Sequence, residues 1–235
     1  MKTTAIVFTV TDPQADSGKL PGYLRPIESK PLVAYTLEVL QNSPAIDEII
    51  LTVDADYLLY CSDNIVDRYN LNKVRKIRNA AETRFKSVNS GLGGVESDTD
   101  IVLIHDALCP FINTEIVQTM IDDCVNKKAV ALGRTCRVPV KRAEQGFILA
   151  SLDMNRIFLM QSPQVFGFQL IKDAYRNAVG IEHEFKDEAA VVEFLGNKVC
   201  VLEGPPDNFR VDSEYAYKIA RFLIEQNQKS GASNA

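Results

Sequence analysis

The stretch IVLIHDALCPF, Ile101 to Phe111, decides how the fold is read. Its first four residues, Ile101 to Ile104, are apolar and mostly β-branched, the composition of a strand covered on both faces. The run is short, and the His, Asp and Pro that follow end it as a strand ends. Strands buried on both sides belong to parallel sheets flanked by helices. In such sheets ligands gather at the carboxyl ends of the strands, which is where Asp106 falls. Asp106 is therefore a candidate ligand-binding carboxylate, with a purely structural loop cap as the alternative.

The same alternation extends in both directions. Thr4 to Phe8 reads as the first buried strand, and Leu32 to Leu40 as a helix with apolar residues at i, i+3, i+4 and i+7. Glu48 to Val53 is a second strand, Asp54 to Tyr69 a helix, and Lys73 to Ile77 a third strand. Ser87 to Val95 makes a short helix before the strand at Ile101. Beyond it, Asn113 is placed to cap a helix reaching about Asn126, and Ala129 to Leu132 opens another strand. Helices are expected at Gln169 to Val179, Glu188 to Leu195 and Ser213 to Gln226, with a strand at Lys198 to Leu202. This pattern predicts an α/β fold, a mainly parallel sheet flanked by helices on both faces. No repeat or linker interrupts it, so residues 1–228 are expected to form a single domain and residues 229–235, small and polar, a disordered tail.

The alternation breaks between Thr135 and Met160. Two extended segments flank Glu144-Gln-Gly146, a hairpin rather than a strand–helix unit. Its Phe147, Ile148 and Leu149 have no home in an α/β core, which points to an arm reaching a partner.

Charge narrows the function. Lys+Arg number 26 against 31 Asp+Glu, a formal net charge of −5, which argues against a nucleic-acid polymer as partner. A small anion in a local cationic pocket stays compatible with that total. Five cysteines without CxxC spacing, and two distant histidines, His105 and His183, fit reduced thiols better than a zinc site or a disulfide framework. With no signal-peptide pattern and no apolar run of membrane length, the expectation is a cytoplasmic protein with no membrane partner.

The loop after the first strand, Phe8 to Leu32, raises the question of phosphate. Nucleotide loops at that position carry several glycines, so that backbone N–H groups reach phosphate oxygens. Here the first glycine is Gly18, and Asp12 and Asp16 stand nearer the strand, where they would repel a triphosphate.

Five segments follow one another along nearly the whole chain: LPGYLRPIESKP (Leu20 to Pro31), TRFKSVNSGL (Thr83 to Leu92), HDALCPF (His105 to Phe111), MQSPQVF (Met160 to Phe166) and DNFRVD (Asp207 to Asp212). In that order they resemble PKQYLPLxGKP, xRxxSVxNGL, HDAARPF, xQTPQxF and xNIKIT of the 2-C-methyl-D-erythritol 4-phosphate cytidylyltransferase family. The ribitol 5-phosphate cytidylyltransferases share the architecture.

The resemblance implies a Rossmann-like nucleotidyltransferase fold with an inserted β-arm, residues 135–160, that crosses to the partner of a homodimer. It implies CTP and a polyol phosphate as ligands, with Mg²⁺ carried on the phosphates and Asp106 nearby. The polyol phosphate would attack the α-phosphorus and release pyrophosphate. Carried over by position, Arg84, Ser87, Asp106 and Ala107 fall at nucleotide-binding places, and Arg210, a catalytic candidate, where the family has a lysine that meets phosphate. Asp187, Arg156 and Lys141 fall at or beside substrate-binding ones. Blander readings stand beside these: Arg84 as a surface cation, Ser87 as an ordinary helix residue, Asp187 as an acid at a helix N-terminus, His105 as a structural hydrogen-bonding residue.

Departures are as informative. Gly22 stands at the position of the lysine of PKQ, and Lys19 and Arg25 are the nearby cations that could replace it catalytically. Cys109 and Met154 stand where the family has arginines, Lys186 where it has threonine, Val138-Pro139-Val140 where the arm has DT, and Ala80-Ala81 in place of paired glycines. Each lost cationic partner of a transferring phosphate costs a few kcal/mol, and each ~1.4 kcal/mol is about tenfold in rate. Three readings stay open: an active cytidylyltransferase, a catalytically degenerate homologue serving as a binding or regulatory subunit, and a cytidylyltransferase for ribitol 5-phosphate or another sugar phosphate.

Overall fold

The computed structural model describes residues 1–10 and 20–232, with side chains to Gln226. In chain order, β1 (Thr3–Phe8) is followed by a small antiparallel pair, β2 (Pro26–Ile27) and β3 (Lys30–Pro31), then α1 (Leu32–Asn42), β4 (Glu48–Val53) and α2 (Leu58–Cys61). Next come β5 (Val74–Asn79), α3 (Arg84–Leu92), β6 (Ile101–Asp106), α4 (Thr114–Lys127) and β7 (Ala129–Thr135). The hairpin is β8 (Lys141–Glu144) and β9 (Phe147–Ser151), and β10 (Phe158–Gly167), α5 (Phe168–Ala178), α6 (Glu188–Phe194), β11 (Cys200–Glu203) and α7 (Glu214–Ala232) complete the chain.

Seven strands form one sheet in the order β11-β7-β10-β6-β1-β4-β5. Every residue of β1 and of β6 is buried, as their apolar composition requires, and the two run parallel with Phe8 opposite Asp106. One apolar layer packs α1 and α4 on one face, and a second packs α3, α5 and α6 on the other. A third cluster joins Ile27 and Leu32 to Val211, Ala216, Ala220 and Ile224, which anchors α7 beside β2.

Local chemistry sets the helix starts that matter for the site. The Thr83 hydroxyl accepts the Lys86 N–H and begins α3 at Arg84, three residues before the expected Ser87. Gly91 lets α3 lie against β1, since a Cβ there would sit 2.5 Å from Ile6 Cγ2. Asn113 caps α4 as its sequence position suggests.

Three features differ from expectation. Residues 55–67 form three short turns (a 3₁₀ turn, α2 and a π turn) instead of one helix. Ser62, Asp63, Asn64 and Asp67 offer side chains that compete for backbone hydrogen bonds there. The segment holding QSPQ is a ten-residue strand, β10, inserted at the centre of the sheet and antiparallel to both β6 and β7. Pro163 and its polar neighbours hide it in the sequence; the proline sits in the register shift between Met160 and Gln164, where no ladder bond is demanded of it. Helix α7 runs to Ala232, so most of the expected tail is helical; residues 233–235 lie outside the described residues.

The hairpin forms where expected. Gln145 and Gly146 take positive φ at its turn, and Phe147 and Ile148 are 75% and 68% exposed.

Candidate active site

A cavity of about 1170 Å³ opens at the carboxyl ends of β6, β1, β4 and β5. Its walls are the Leu20–Arg25 turn, the residues following those strands, and the segment from Arg210 to Tyr217.

Asp106 is the most constrained group in it. The Ala107 N–H donates to the Phe8 carbonyl at 3.0 Å, which carries the strand pairing one residue further. Asp106 Oδ1 accepts the Leu108 N–H at 2.9 Å, and Oδ2 accepts Arg210 Nε at 2.8 Å. Behind it runs a buried relay. The Asp106 N–H donates to Ser162 Oγ (2.8 Å), the Ser162 hydroxyl to His105 Nδ1 (3.0 Å), and His105 Nε2–H to the Cys109 carbonyl (2.9 Å). That order follows because a carbonyl can only accept. Burial lowers the His105 pKa to about 4, so the ring is neutral and serves as a strut. Burial also pushes the Cys109 thiol well up, away from the reactive thiolate.

The cations among the described lining residues are engaged. Arg210 also reaches Asp212 (2.9 Å); burial opposes its charge, but Asp106 and Asp212 outweigh it and its pKa is raised. Arg25 holds both oxygens of Glu214, which raises its pKa, and lies 3.7 Å over the Tyr217 ring, whose hydroxyl binds the Pro26 carbonyl. Among the described lining residues, six carboxylates (Asp54, Asp56, Glu82, Asp106, Asp212, Glu214) meet two guanidiniums, each already paired.

Arg84 and Ser87 lie behind this wall. Arg84 donates from Nε and from its terminal nitrogen to Glu188 at 2.8 and 2.6 Å, and its guanidinium sits 4.9 Å over the Phe8 ring. Burial works against that charge, yet Glu188, itself 0% exposed, overcomes it and keeps the Arg84 pKa raised. The Ser87 hydroxyl donates to the Ala81 carbonyl (3.0 Å) and accepts the Ala81 N–H (2.7 Å), fixing the cavity wall.

The remaining candidates are dispersed. Asp187 caps α6 by accepting the Ala190 N–H at 2.8 Å. Lys141 binds Ser151 Oγ within the arm, and Arg156 is 4.0 Å from Asp153, outside this chain's cavity. Lys19, Asp12 and Asp16 lie outside the described residues. Among the described residues no cluster of three or more His, Cys, Asp or Glu could hold a metal ion. Sequence reasoning missed Glu188, Ser162, Glu214, Thr9 and Asp54. Asp54 directly follows a buried strand, the signal that singled out Asp106.

The family model described as IspD, 2-C-methyl-D-erythritol 4-phosphate cytidylyltransferase, matches residues 14–226. This chain belongs to that family. A Clostridium novyi (strain NT) protein named 2-C-methyl-D-erythritol 4-phosphate cytidylyltransferase is 33% identical over 200 residues, 85% of this chain and 86% of the relative. A protein of the same name from Clostridium botulinum (strain 657 / Type Ba4) is 34% identical over 201 residues, 85% and 87% of the two chains. A crystal structure described as 4-diphosphocytidyl-2C-methyl-D-erythritol synthase from Anaerococcus prevotii DSM 20548 shares the fold. Its TM-score is 0.82 at 22% identity, over 95% of this chain and 98% of that one. The described cavity walls of this IspD-family chain, apart from Thr9 and Val10, fall within the matched residues.

Proposed function

We propose that this chain transfers CMP from CTP to a polyol phosphate, 2-C-methyl-D-erythritol 4-phosphate as in the names of its relatives, and releases pyrophosphate. The observation that carries the reading is the joining of Asp106 and Arg210 at the mouth of β6, in a chain matching those relatives over 85% of its length. In the reaction a phosphate oxygen of the polyol bonds to the α-phosphorus of CTP, and the bond from that phosphorus to the pyrophosphate oxygen breaks. Such transfer needs cations where charge gathers on phosphate oxygens. Arg210 and Arg25 meet that need by exchanging Asp106, Asp212 and Glu214 for phosphate. Mg²⁺ bound to the triphosphate would neutralise its charge, and Asp106 would be the carboxylate that helps hold it. A hard cation held by one carboxylate and substrate phosphates fits a cavity lacking a metal cage among the described residues.

The exposed arm supports a homodimer in which Phe147 and Ile148 are covered, carrying Lys141 and Arg156 toward the partner's cavity. Deleting Arg142 to Ile148 should leave a monomer by ultracentrifugation; an unchanged dimer refutes the arm's role. Five free thiols, and no described helix long and apolar enough to cross a membrane, support a cytoplasmic enzyme.

A second reading, a homologue that binds without turnover, is favoured by one observation: among the described lining residues six carboxylates meet two guanidiniums, both paired. Pyrophosphate release from CTP and Mg²⁺ with 2-C-methyl-D-erythritol 4-phosphate, and in parallel with ribitol 5-phosphate, separates the readings. Turnover with the first acceptor supports the enzyme. CTP binding without turnover on either supports the second reading, and no CTP binding at millimolar concentration removes both.

A further inference from the structure

Contacts among Arg25, Pro26, Glu214 and Tyr217 tie the two lips of the cavity together. The Leu20–Arg25 turn forms one lip and the start of α7 the other, and Arg25, Glu214 and Tyr217 all line the cavity. The main chain at Arg25 is fixed before its side chain is considered. Its N–H closes the turn on the Pro21 and Gly22 carbonyls (3.2 Å each), and its own carbonyl accepts the Leu32 N–H (3.1 Å). Pro26 behind it confines it to extended backbone, with φ −61° and ψ 125°. The side chain is another matter: long, rich in rotamers and 40% exposed. Left alone it would sample solvent, and an arriving phosphate would have to order it at a cost in affinity.

Tyr217 removes that freedom. The guanidinium carbon of Arg25 lies 3.7 Å from the centre of its ring. The tyrosine is itself well held: its N–H donates to the Ser213 carbonyl at 2.8 Å, and its hydroxyl donates to the Pro26 carbonyl. It also packs against the cluster that contains Ile27, Leu32 and Val211. A guanidinium over a ring spends its flat face on the ring and keeps its N–H edge for an anion. Glu214 takes that edge with both oxygens, and its side chain is 71% exposed. An exposed carboxylate can be exchanged for another anion at little cost. The ring has no such exchange to make.

We propose that Tyr217 is a positioning residue, its ring holding the Arg25 guanidinium at the cavity rim while Glu214 gives way to a phosphate oxygen of CTP. The inference deepens the cytidylyl-transfer reading and rests on it. Tyr217 acts through Arg25 rather than on the ligand, so removing either residue, or both, costs the same interaction once.

Calorimetry of CTP binding with Mg²⁺ on the full chain tests this, each variant being checked for folding by circular dichroism. Tyr217→Leu removes the flat face and should weaken CTP about fivefold or more. Tyr217→Phe keeps the face and should stay within about twofold of wild type. In an Arg25→Met background, itself weaker, Tyr217→Leu should add less than about twofold, because the interaction it supports is already gone. A merely structural tyrosine would weaken both backgrounds alike. Tyr215→Leu, in the same first turn of α7 but outside the cavity walls, should leave CTP binding unchanged. Arg25→Lys keeps the charge without the planar fork and should lose about fivefold or more; it decides the matter if Tyr217→Leu does not fold. Wild-type affinity in Tyr217→Leu or Arg25→Lys overturns the positioning role. So does a loss in Tyr217→Phe or Tyr215→Leu equal to that of Tyr217→Leu, or additive losses in the double variant. In each of these cases CTP binding by the wild type leaves the cytidylyl-transfer reading standing. A wild type that binds no CTP at millimolar concentration overturns both.

Discussion

On one face of the sheet Arg84 grips Glu188 between α3 and α6; on the rim of the cavity Arg25 grips Glu214 at the start of α7. Each pair is bidentate, and each joins segments far apart in sequence. They differ in water. Glu188 is fully buried, while the Glu214 side chain is 71% exposed. A buried ion pair is costly to form and costlier to halve, because the survivor keeps its charge without a counter-charge. An exposed pair can trade its partner for another anion at little cost. Scaffold and working surface are thus built from the same two residue types, and burial assigns the role. Arg210 stands between them: its Asp106 partner is nearly buried, yet its own side chain is 45% exposed to the cavity.

Removing one member of each pair is the way to break this contrast. Glu188→Ala should cost about 3–5 kcal/mol, read by urea unfolding followed with circular dichroism since the chain has no tryptophan. A loss under about 1 kcal/mol would erase the distinction between the two faces. Arg210→Ala should leave the unfolding curve much closer to wild type and lower pyrophosphate release about 100- to 1000-fold; unimpaired turnover would take Arg210 out of the reaction.

Acid titration sharpens the scaffold side. His105 is held neutral, burial depressing its pKa from the ordinary imidazole value of 6.5 to about 4. The unfolded chain therefore takes up a proton first as the pH falls. The stability tied to His105 is complete above about 6.5 and fades toward pH 4, by at most about 3 kcal/mol. His105→Gln should flatten that part of the pH profile; an identical slope would mean other groups carry it. The smallest effect belongs to the rim. Glu214→Gln should leave the melting curve at wild type and tighten CTP a few-fold by freeing Arg25, and weaker CTP binding would argue that Glu214 helps the ligand.

The layered fold was legible because β1, β4 and β6 are short, β-branched and apolar, and because Asn113 announces α4. Strand β10 was not, since a proline and three polar residues mask a strand that is satisfied by neighbours on both sides. At the site, the motif containing Asp106 and the one containing Arg210 were readable as candidates, but their contact depends on β6 and the irregular segment at 208–211 meeting in space. Pairing of Arg84 with Glu188 and of Arg25 with Glu214 was illegible for the same reason: sequence shows charges, and only packing shows which are spent on each other.

The central claim is that Arg210 leaves Asp106 and Asp212 for the phosphates of CTP in this cavity. A crystal structure with CTP and Mg²⁺ tests it most directly. The account predicts the Arg210 guanidinium within hydrogen-bonding distance of a phosphate oxygen. CTP bound elsewhere, or bound here with Arg210 still joined to both aspartates, would contradict it.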